Sequence, residues 1–546
     1  MRVPRLSGTP VTVVIALALL FSVFAVPRIA DAHGPAKKRP PQTLTAAFSS
    51  DFPTLDPAVG YDPFSWTGEH ALFNSLLGYK NAPGLPGTRL QPDVAASMPK
   101  ISNGGKLYTF HLRHDVHFSP PVKRLVTASD FKYSIERALG NATYPMFKSG
   151  FWSPLSGTSA FWSKKAKHIS GITVKGKWTI EFRLTSPDIA FQNVIAMPFA
   201  SVVPKEWVKK QGGRFASDPV GTGPYMLKYW HKGSQMLLVK NPLYFHKGLP
   251  HVPRVLIDMN VPPHLQIQRA EKNQLDIPGD LVTSQDYLAL RTGPYSKQLV
   301  HEPDIAVFYL AMNMQMKPFK GNLALRRAFN MAIDKNFIVR ELNGRAVVMN
   351  GILPPTMPGA NKHFTYYKYN LKAARAEFKK SGYKPGHLTV KLLYVEDNPD
   401  YLNVFLAVQS DLKKIGVNVQ PNPQTQNNAY NLVYTPGKSA FSFFTWGEDY
   451  PDPSDFFDPI LSCSASSNAA FFCNKAVDKL GNKARADTNR KSRYAMYRKM
   501  EKMVMAKAPW VPLYDDILYD FHSSKVQGFY IHPVWPFSYD QYRLKS

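Results

Sequence analysis

Residues 370–420 read NLKAARAEFKKSGYKPGHLTVKLLYVEDNPDYLNVFLAVQSDLKKIGVNVQ, and this stretch decides the fold class of the 546-residue chain. Its apolar residues first recur at helical spacing between an Asn370 cap and a terminating Gly382. Residues 387–397 then alternate between apolar and polar as a strand does, and residues 401–416 return to the helical period before a second strand. Helices and strands that alternate along a chain predict an α/β fold built in layers.

Segments on both sides of this stretch repeat the pattern. Residues 106–119 alternate as a strand, and a helix follows whose first turn carries the capping-box-like pair Thr127 and Asp130. Residues 171–184 predict a β-hairpin with a glycine at its turn. One continuous helix is predicted over residues 321–342 because its apolar residues keep to one face. The length exceeds what a single hydrophobic core supports, so we expect several domains.

Residues 1–32 predict an export signal. The apolar run VTVVIALALLFSVFAV (11–26) follows two arginines, and Ala30 and Ala32 form a small-x-small cleavage site. The run is shorter than the roughly 20 residues of a membrane span, which favours cleavage over an uncleaved anchor. No cysteine follows the run, which excludes a lipid-modified N-terminus, and residues 33–43 predict a flexible basic leader.

The composition excludes some classes of protein. With 44% apolar residues the chain is not intrinsically disordered. Its formal net charge of +28 suits nucleic acid, an anionic envelope surface or simple solubility. Since Lys and Arg are spread along an exported chain, we expect no nucleic-acid partner.

Cys463 and Cys473 are the only cysteines. In an oxidising compartment they would close a short loop as a disulfide, worth roughly 2 to 3 kcal/mol, and two free thiols are the alternative. No histidine lies near them, so they predict no zinc site.

Catalytic signatures are missing from the sequence. It contains no G-x-S-x-G, H-E-x-x-H, G-x-x-x-x-G-K-[ST] or post-strand G-x-G-x-x-G motif. His111, His114 and His117 suggest a metal at first, but a strand would point His114 away from the other two. The glycines of DPVGTGPYMLKYW (218–230) predict a tight turn, because Pro224 removes a backbone donor that a phosphate site would need.

An acidic, aromatic window, TWGEDYPDPSDFFDPI (445–460), interrupts this basic chain. Its Asp-Pro steps favour turns, and Asp455 is predicted to cap a short helix from Phe456. Asp449 is harder to explain by turn chemistry. It follows Trp446 by three residues at the end of an apolar strand, where a partly shielded carboxylate beside aromatic rings would pair well with an ammonium group.

Eight segments, in order along the chain, carry a family resemblance: TLDPAVGYD, LQPDVAASM, YTFHLRHDVHFS, VTASDFKYSIERAL, DPVGTGPYMLKYW, YLAMNMQMKPFKGNLALRRAFNMAIDKNFIV, TWGEDYPDPSDFF and APWVPLYDD. With them the chain resembles the extracytoplasmic solute-binding proteins of ABC importers, in the peptide/nickel family, family 5. One departure is PPVKRL (120–125), where the family usually has an Asp-Gly-x-Pro turn; it changes a loop and not the architecture.

The resemblance implies an α/β fold of the periplasmic-binding-protein type II with three lobes. Lobe I would comprise residues 44–76, 204–303 and 508–546, lobe II residues 77–203, and lobe III residues 304–507. Ligand would bind between lobes I and III, which close by hinge bending.

The resemblance also implies a site. In dipeptide- and oligopeptide-binding members, an Asp three residues after a Trp in this loop pairs with the α-ammonium of the peptide. Asp449 and Trp446 fall on these positions, and Gly447 and Glu448 between them complete the predicted ligand-binding residues. The residue that would meet the ligand carboxylate stays unassigned.

The function we expect is that of a monomeric, exported binding protein that delivers short peptides to an ABC permease, without a cofactor or a metal. The alternative hypothesis keeps the fold and replaces the peptide with a non-peptide solute such as an opine, a sugar or a metal chelate. A secreted hydrolase or an adhesion protein is the third hypothesis, and it lacks support because the sequence offers no nucleophile–base pair.

Overall fold

Strands and helices alternate along the chain in the computed structural model, as the α/β prediction requires. The structure describes residues 42–140, 150–396, 398–535 and 537–545. The predicted export signal, residues 1–32, and the basic leader up to residue 41 lie outside the described residues. No helix in the described part of the chain is long and apolar enough to cross a membrane.

The strands, numbered in chain order, are β1 (Thr43–Ala47), β2 (Leu77–Tyr79), β3 (Leu90–Pro92), β4 (Lys100–Ser102), β5 (Leu107–His111), β6 (Ile172–Lys175), β7 (Thr179–Arg183), β8 (Tyr225–His231), β9 (Gln235–Lys240), β10 (Arg254–Asp258), β11 (Ile277–Pro278), β12 (Leu299–Pro303), β13 (Ala306–Met312), β14 (Ala346–Val348), β15 (Leu388–Val395), β16 (Val417–Gln424), β17 (Phe441–Gly447), β18 (Trp510–Phe521), β19 (Val526–Gln527) and β20 (Arg543–Leu544).

The α-helices are α1 (Pro63–Leu72), α2 (Gly84–Gly87), α3 (Ala128–Gly140), α4 (Thr158–Trp162), α5 (Phe191–Ala196), α6 (Lys205–Gln211), α7 (Pro263–Glu271), α8 (Ser284–Thr292), α9 (Leu323–Ala332), α10 (Lys335–Glu341), α11 (Leu371–Lys380), α12 (Pro399–Lys413), α13 (Gln426–Tyr434), α14 (Asp458–Leu461), α15 (Lys475–Ala486) and α16 (Arg490–Met505). Short 3-10 helices cover Pro198–Ala200, Gly212–Ala216, Ser296–Gln298 and Pro453–Phe456.

The described strands form five sheets. A mixed five-stranded sheet has the order β11-β1-β10-β9-β8, in which β1 is parallel to both neighbours. An antiparallel four-stranded sheet has the order β4-β5-β7-β6. The largest sheet has the order β12-β18-β13-β17-β15-β16, with β14 joined to β18. Two small sheets pair β2 with β3 and β19 with β20.

Strand β13, of sequence AVFYLAM, lies within the largest sheet and is buried along its whole length. Its unbroken apolar run fits a strand that is covered on both faces. Phe308 and Leu310 contribute to one hydrophobic core, whereas Val307 and Tyr309 contribute to another. Strand β17 pairs antiparallel with β13, so the acidic window begins beside the start of β13.

Residues 370–420 fold as predicted. The side chain of Asn370 accepts a hydrogen bond from the Ala373 amide at 2.9 Å and begins α11. Strands β15 and β16 pair in parallel, with Leu388 opposite Val417, and α12 is the crossover that parallel strands need. Gly416, at a φ of 84°, makes the left-handed turn from α12 into β16.

The single helix predicted over residues 321–342 is wrong, because the structure has two helices, α9 and α10. Ile333 lies between them in an extended conformation. The side chain of Asp334 accepts a hydrogen bond from the Phe337 amide at 3.1 Å and so starts a new helix. A short acidic side chain that caps its own downstream backbone competes with continuation of the upstream helix.

Within residues 106–184 the predicted hairpin and helix start are confirmed, and the strand predicted over residues 106–119 is confined to Leu107–His111. β5 is a strand, β6 and β7 form the hairpin, and Asp130 accepts hydrogen bonds from the amide and the hydroxyl of Thr127, each at 2.8 Å. His111 contacts Thr179, whereas the ring of His114 packs on Trp178 at 4.5 Å. In the residues that the structure describes, no group of three or more His, Cys, Asp or Glu side chains is arranged to hold a metal ion.

Buried side chains collect into separate cores. One core on the four-stranded sheet draws mostly on residues 76–202, and one covers the five-stranded sheet. Two further cores lie on the largest sheet and draw on residues 305–514. The division into three lobes, with its boundaries, stays a prediction.

Candidate functional site

The acidic window starts on the last residues of β17. Trp446 and Gly447 pair with Val307 and Ala306 of β13, and the Glu448 amide donates to the Ile305 carbonyl at 3.1 Å. The loop therefore leaves the sheet at a fixed point. Gly447 is exposed, and a Cβ atom placed there would meet no neighbouring atom within 4 Å.

Asp455 holds this loop in place by accepting hydrogen bonds from two other residues of the window. It is 1% exposed, and its Oδ2 accepts hydrogen bonds from the Asp449 amide at 2.8 Å and from Nε1 of Trp446 at 3.4 Å. The prediction that Asp455 caps a helix from Phe456 is wrong. The short helix is Pro453–Phe456, and Asp452 caps it by accepting from the Ser454 amide at 2.9 Å. Asp455 is therefore free to hold Trp446 and Asp449 together.

Two of the five acidic residues in the window are neutralised by arginines from outside it. Asp452 forms a two-pronged ion pair with Arg493 of α16, at 2.6 and 2.7 Å, and both side chains are buried. Burial alone would raise the pKa of Asp452, but the Arg493 charge and its hydrogen bonds bring that pKa below its ordinary value. Asp458 pairs with Arg485 of α15 at 2.5 Å.

The other three, Glu448, Asp449 and Asp455, form no ion pair with any described residue. Burial raises the pKa of Asp449 to about 7. Burial and then the Asp449 charge raise the pKa of Asp455 well above its ordinary value. Burial and then the Asp304 charge do the same to the pKa of Glu448. Carboxylates this close resist ionising together, so a bound cation would stabilise their charged forms.

Asp449 also reaches a distant part of the chain. Its Oδ1 accepts a hydrogen bond of 2.6 Å from the hydroxyl of Tyr61, which precedes α1. The Tyr61 ring lies 5.6 Å from the Trp66 ring and 6.1 Å from the Phe151 ring. Burial and then the Asp449 charge raise the pKa of Tyr61 well above its ordinary value, so Tyr61 stays a neutral donor.

The second carboxylate oxygen of Asp449, Oδ2, is buried and has no hydrogen-bond partner in the described part of the chain. A carboxylate accepts hydrogen bonds and donates none, so this oxygen lacks a donor. The Tyr61 ring, whose hydroxyl donates to the other oxygen, lies 5.6 Å from the Trp66 ring, and no arginine or lysine among the described residues forms an ion pair with Asp449. This arrangement can bind a small group that carries both positive charge and N–H donors.

The structure thus brings together the predicted residues Trp446, Gly447, Glu448 and Asp449. Cys463 and Cys473 are bonded, with their sulfur atoms 2.13 Å apart, and their loop follows the window. Sequence reasoning missed three residues: Tyr61, Phe151 and Arg493. Only Tyr61 lay in a segment that the sequence singled out, TLDPAVGYD, and that segment gave no sign of its partner.

A separate cavity, of about 220 Å³, lies elsewhere in the protein. It is lined by residues that include His70, Asp93, His246 and Trp535, and by none from the window 445–460. It is therefore not part of the candidate site.

Comparison with known proteins gives a family match. A family model described as bacterial extracellular solute-binding proteins, family 5 middle, matches residues 89–468. The probable D,D-dipeptide-binding periplasmic protein of Escherichia coli K12 is 28% identical over 509 residues, 91% of this chain and 92% of that protein. Heme-binding protein A of Haemophilus influenzae is 27% identical over 500 residues, 86% of this chain and 86% of that protein.

A solved structure shares the fold. Clavulanic acid biosynthesis oligopeptide binding protein 2 matches with a TM-score of 0.84 at 22% identity, over 92% of this chain and 95% of that one. This likeness confirms the predicted α/β fold of the periplasmic-binding-protein class.

Proposed function

Because the chain belongs to family 5 of the bacterial extracellular solute-binding proteins, and is a binding protein rather than an enzyme, we propose that it captures short peptides outside the cell membrane and delivers them to an ABC permease. The predicted export signal, residues 1–32, supports an extracytoplasmic location. The peptide is the ligand class that the chemistry of the acidic window favours.

The buried, unpartnered Oδ2 of Asp449 carries this proposal. An α-ammonium group supplies the positive charge and the N–H donors that this oxygen lacks. Asp455 holds Trp446 and Asp449 together, which keeps an aromatic ring that can attract cations close to the site. Gly447 is exposed at the edge of the loop, where even an added Cβ atom would meet no neighbour within 4 Å.

In the proposed mechanism, Tyr61 provides a contact that forms when lobes I and III close. It belongs to the proposed lobe I and Asp449 to the proposed lobe III, 388 positions apart in sequence. Their hydrogen bond forms only when the two parts of the chain approach. The Asp449 carboxylate would therefore bind the ligand through Oδ2 and stabilise the closed state through Oδ1. A ligand that fixes Asp449 in its charged form would strengthen the Tyr61 bond and favour closure.

The test is calorimetric titration of residues 33–546, freed of ligand by unfolding and refolding. One titrant is a mixed pool of di- to pentapeptides, and the other is the same pool N-acetylated, which removes the ammonium charge. Binding of the free pool alone is expected. Equal binding of both pools would refute the ammonium site, and binding of neither would favour a non-peptide solute as the ligand.

A further inference from the structure

A polar cavity of about 370 Å³ lies beside the acidic window. One wall comes from residues 150–194 and the other from residues 450–500. Its volume is within the range of small-molecule sites, roughly 300 to 1,000 Å³. It is large enough to take a side chain of a bound ligand.

The cavity adjoins the proposed ammonium site. Asp455 lines it and also holds the Asp449 amide through a hydrogen bond of 2.8 Å. Tyr450, the residue after Asp449, lines it too, and its ring lies 6.2 Å from the Phe151 ring on the opposite wall. Tyr61 in turn lies 6.1 Å from Phe151. A ligand whose ammonium group binds Asp449 would therefore have its neighbouring atoms at this cavity.

The lining of the cavity has more carboxyl groups than basic groups. Four carboxylates line it, and Arg485 is the one Lys or Arg residue in the described lining; the carboxylates belong to Asp188, Asp455, Asp458 and Asp478. Arg485 is already paired with Asp458 at 2.5 Å. The remaining three have no ion-pair partner in the described part of the chain.

Asp188 is the most informative of these carboxylates. Its side chain is buried, at 8% exposure, although it borders the cavity. Its Oδ1 accepts a hydrogen bond from the Ala190 amide at 3.0 Å, and its Oδ2 accepts none from the described residues. Burial raises the pKa of Asp188 to about 7, although the nearby Arg485 charge acts to lower it.

Apolar side chains complete the walls of the cavity, from Phe151, Val194, Tyr450, Phe457 and Met500. A lining that combines apolar groups with carboxylates suits an aliphatic chain that ends in a cation, because methylene groups bury favourably while the charge finds an acceptor. We propose that this cavity receives a basic side chain of the bound peptide, with Asp188 and Asp455 facing its cation. This inference rests on the proposed peptide-binding function and names the peptides that the site prefers.

The test compares matched dipeptides by calorimetry on the ligand-free protein, residues 33–546. Lys-Ala and Ala-Lys are titrated against Nle-Ala and Ala-Nle, since norleucine has the same aliphatic chain without the ammonium group. We expect at least one lysine peptide to bind about tenfold or more tightly than its norleucine partner, as a charge-assisted hydrogen bond would give. Asp188→Asn should remove most of this preference while it keeps norleucine binding.

Asp218→Asn is the control variant, because Asp218 is an exposed carboxylate outside the cavity lining. Thermal melting checks that each variant is folded. Equal affinity for lysine and norleucine peptides would overturn the inference and leave the proposed function standing. A lysine preference that survives in both Asp188→Asn and Asp455→Asn would also overturn it. If none of the four dipeptides binds and the free peptide pool also fails, the proposed function falls and the inference with it.

Discussion

Asp449→Asn should weaken peptide binding and at the same time stabilise the ligand-free protein. The amide is similar in size to the carboxylate, and its oxygen can still accept the hydrogen bond that Tyr61 donates. The substitution removes the negative charge, and the NH₂ group of the new amide presents donors to the ligand ammonium where the carboxylate presented an acceptor. Binding and stability therefore respond in opposite directions.

The loss of binding follows from the unpartnered Oδ2 of Asp449. Removal of one member of a largely desolvated charge pair costs about 2 to 5 kcal/mol. Burial has raised the Asp449 pKa to about 7, so at neutral pH part of that energy is spent on releasing a proton. We expect a net loss of about 2 to 4 kcal/mol, or roughly 30-fold to 900-fold in Kd.

The gain in stability follows from the same raised pKa. A carboxylate that is harder to ionise in the folded state than in the unfolded state destabilises the fold once the pH is high enough to ionise it. The shift from the ordinary value to about 7 corresponds to about 4 kcal/mol. Because the side chain is partly accessible and Asp455 shares its charge, a gain on the order of 1 to 2 kcal/mol at pH 8 is the reasonable expectation.

The assay is calorimetric titration with free peptides, together with urea unfolding of the ligand-free protein at pH 8. Asp218→Asn serves again as the control and should change neither quantity appreciably. A variant Asp449→Asn with weaker binding and lower stability would point to a structural role for the carboxylate. Unchanged affinity would refute the ammonium site.

Three further predictions concern the contacts around the window. Tyr61→Phe removes one hydrogen bond to Asp449, so the affinity for free peptides should fall by about 1 kcal/mol, roughly fivefold in the Kd measured by calorimetry. An unchanged Kd would show that the contact does not support the bound state. Arg493→Met leaves the buried carboxylate of Asp452 unpaired, so urea unfolding should show a free energy of unfolding lower by about 3 to 5 kcal/mol. Arg214→Met, at an exposed arginine, is the control and should change little. Equal stabilities of the two variants would contradict the importance of the ion pair. The free energy of unfolding of the ligand-free protein should be greater at pH 6 than at pH 8. Burial raises the pKa of six carboxylic acids to between about 6 and about 8: Asp188, Asp304, Asp449, Glu501, Asp516 and Asp520. Their stabilising contribution is present at low pH and is lost as the pH rises through these values. The lowered pKa values of Lys335, His70 and His532 make stability rise with pH instead, and the loss from the six carboxylic acids outweighs this gain. A stability that rises from pH 6 to pH 8 would contradict this reasoning.

Much of the fold could be predicted because its signals are local. Asn370 caps α11 and Gly416 ends the turn after α12, and each works through backbone groups a few residues away. The break between α9 and α10 was missed because Asp334 fits the polar face of one long helix as well as it fits a cap. Local patterns do not decide between two such uses of one residue.

The site could be predicted only where it is continuous in sequence. Asp449 and Trp446 are three residues apart on the end of a strand, so their neighbourhood was visible. Asp455 and Asp452 both precede apolar residues in a turn, and only their contacts in the folded chain separate their roles: Asp455 holds Trp446 and the Asp449 amide, whereas Asp452 caps the short helix. Tyr61 could not be found, because its partner lies 388 positions away and no local pattern encodes that distance.

The pairing of Arg493 was hidden for a related reason. Helix α16 carries several Lys and Arg residues, and its sequence does not indicate which of them turns inward. Arg493 is buried where Asp452 accepts a hydrogen bond from each of its two terminal guanidinium nitrogens, a match that depends on how the helix packs on the window. The structure thereby separates the acidic residues of the window that are ion-paired from those without an ion pair in the described part of the chain.

The most direct test of the central claim is a coupling measurement between the ligand ammonium and Asp449. One dipeptide that binds the wild-type protein and its N-acetylated form are each titrated into the wild-type protein and into Asp449→Asn, which gives four binding free energies. If the carboxylate holds the ammonium, the two changes should not add, and the coupling energy should be about 2 kcal/mol or more. Additive effects, with a coupling energy near zero, would show that Asp449 and the ammonium do not meet.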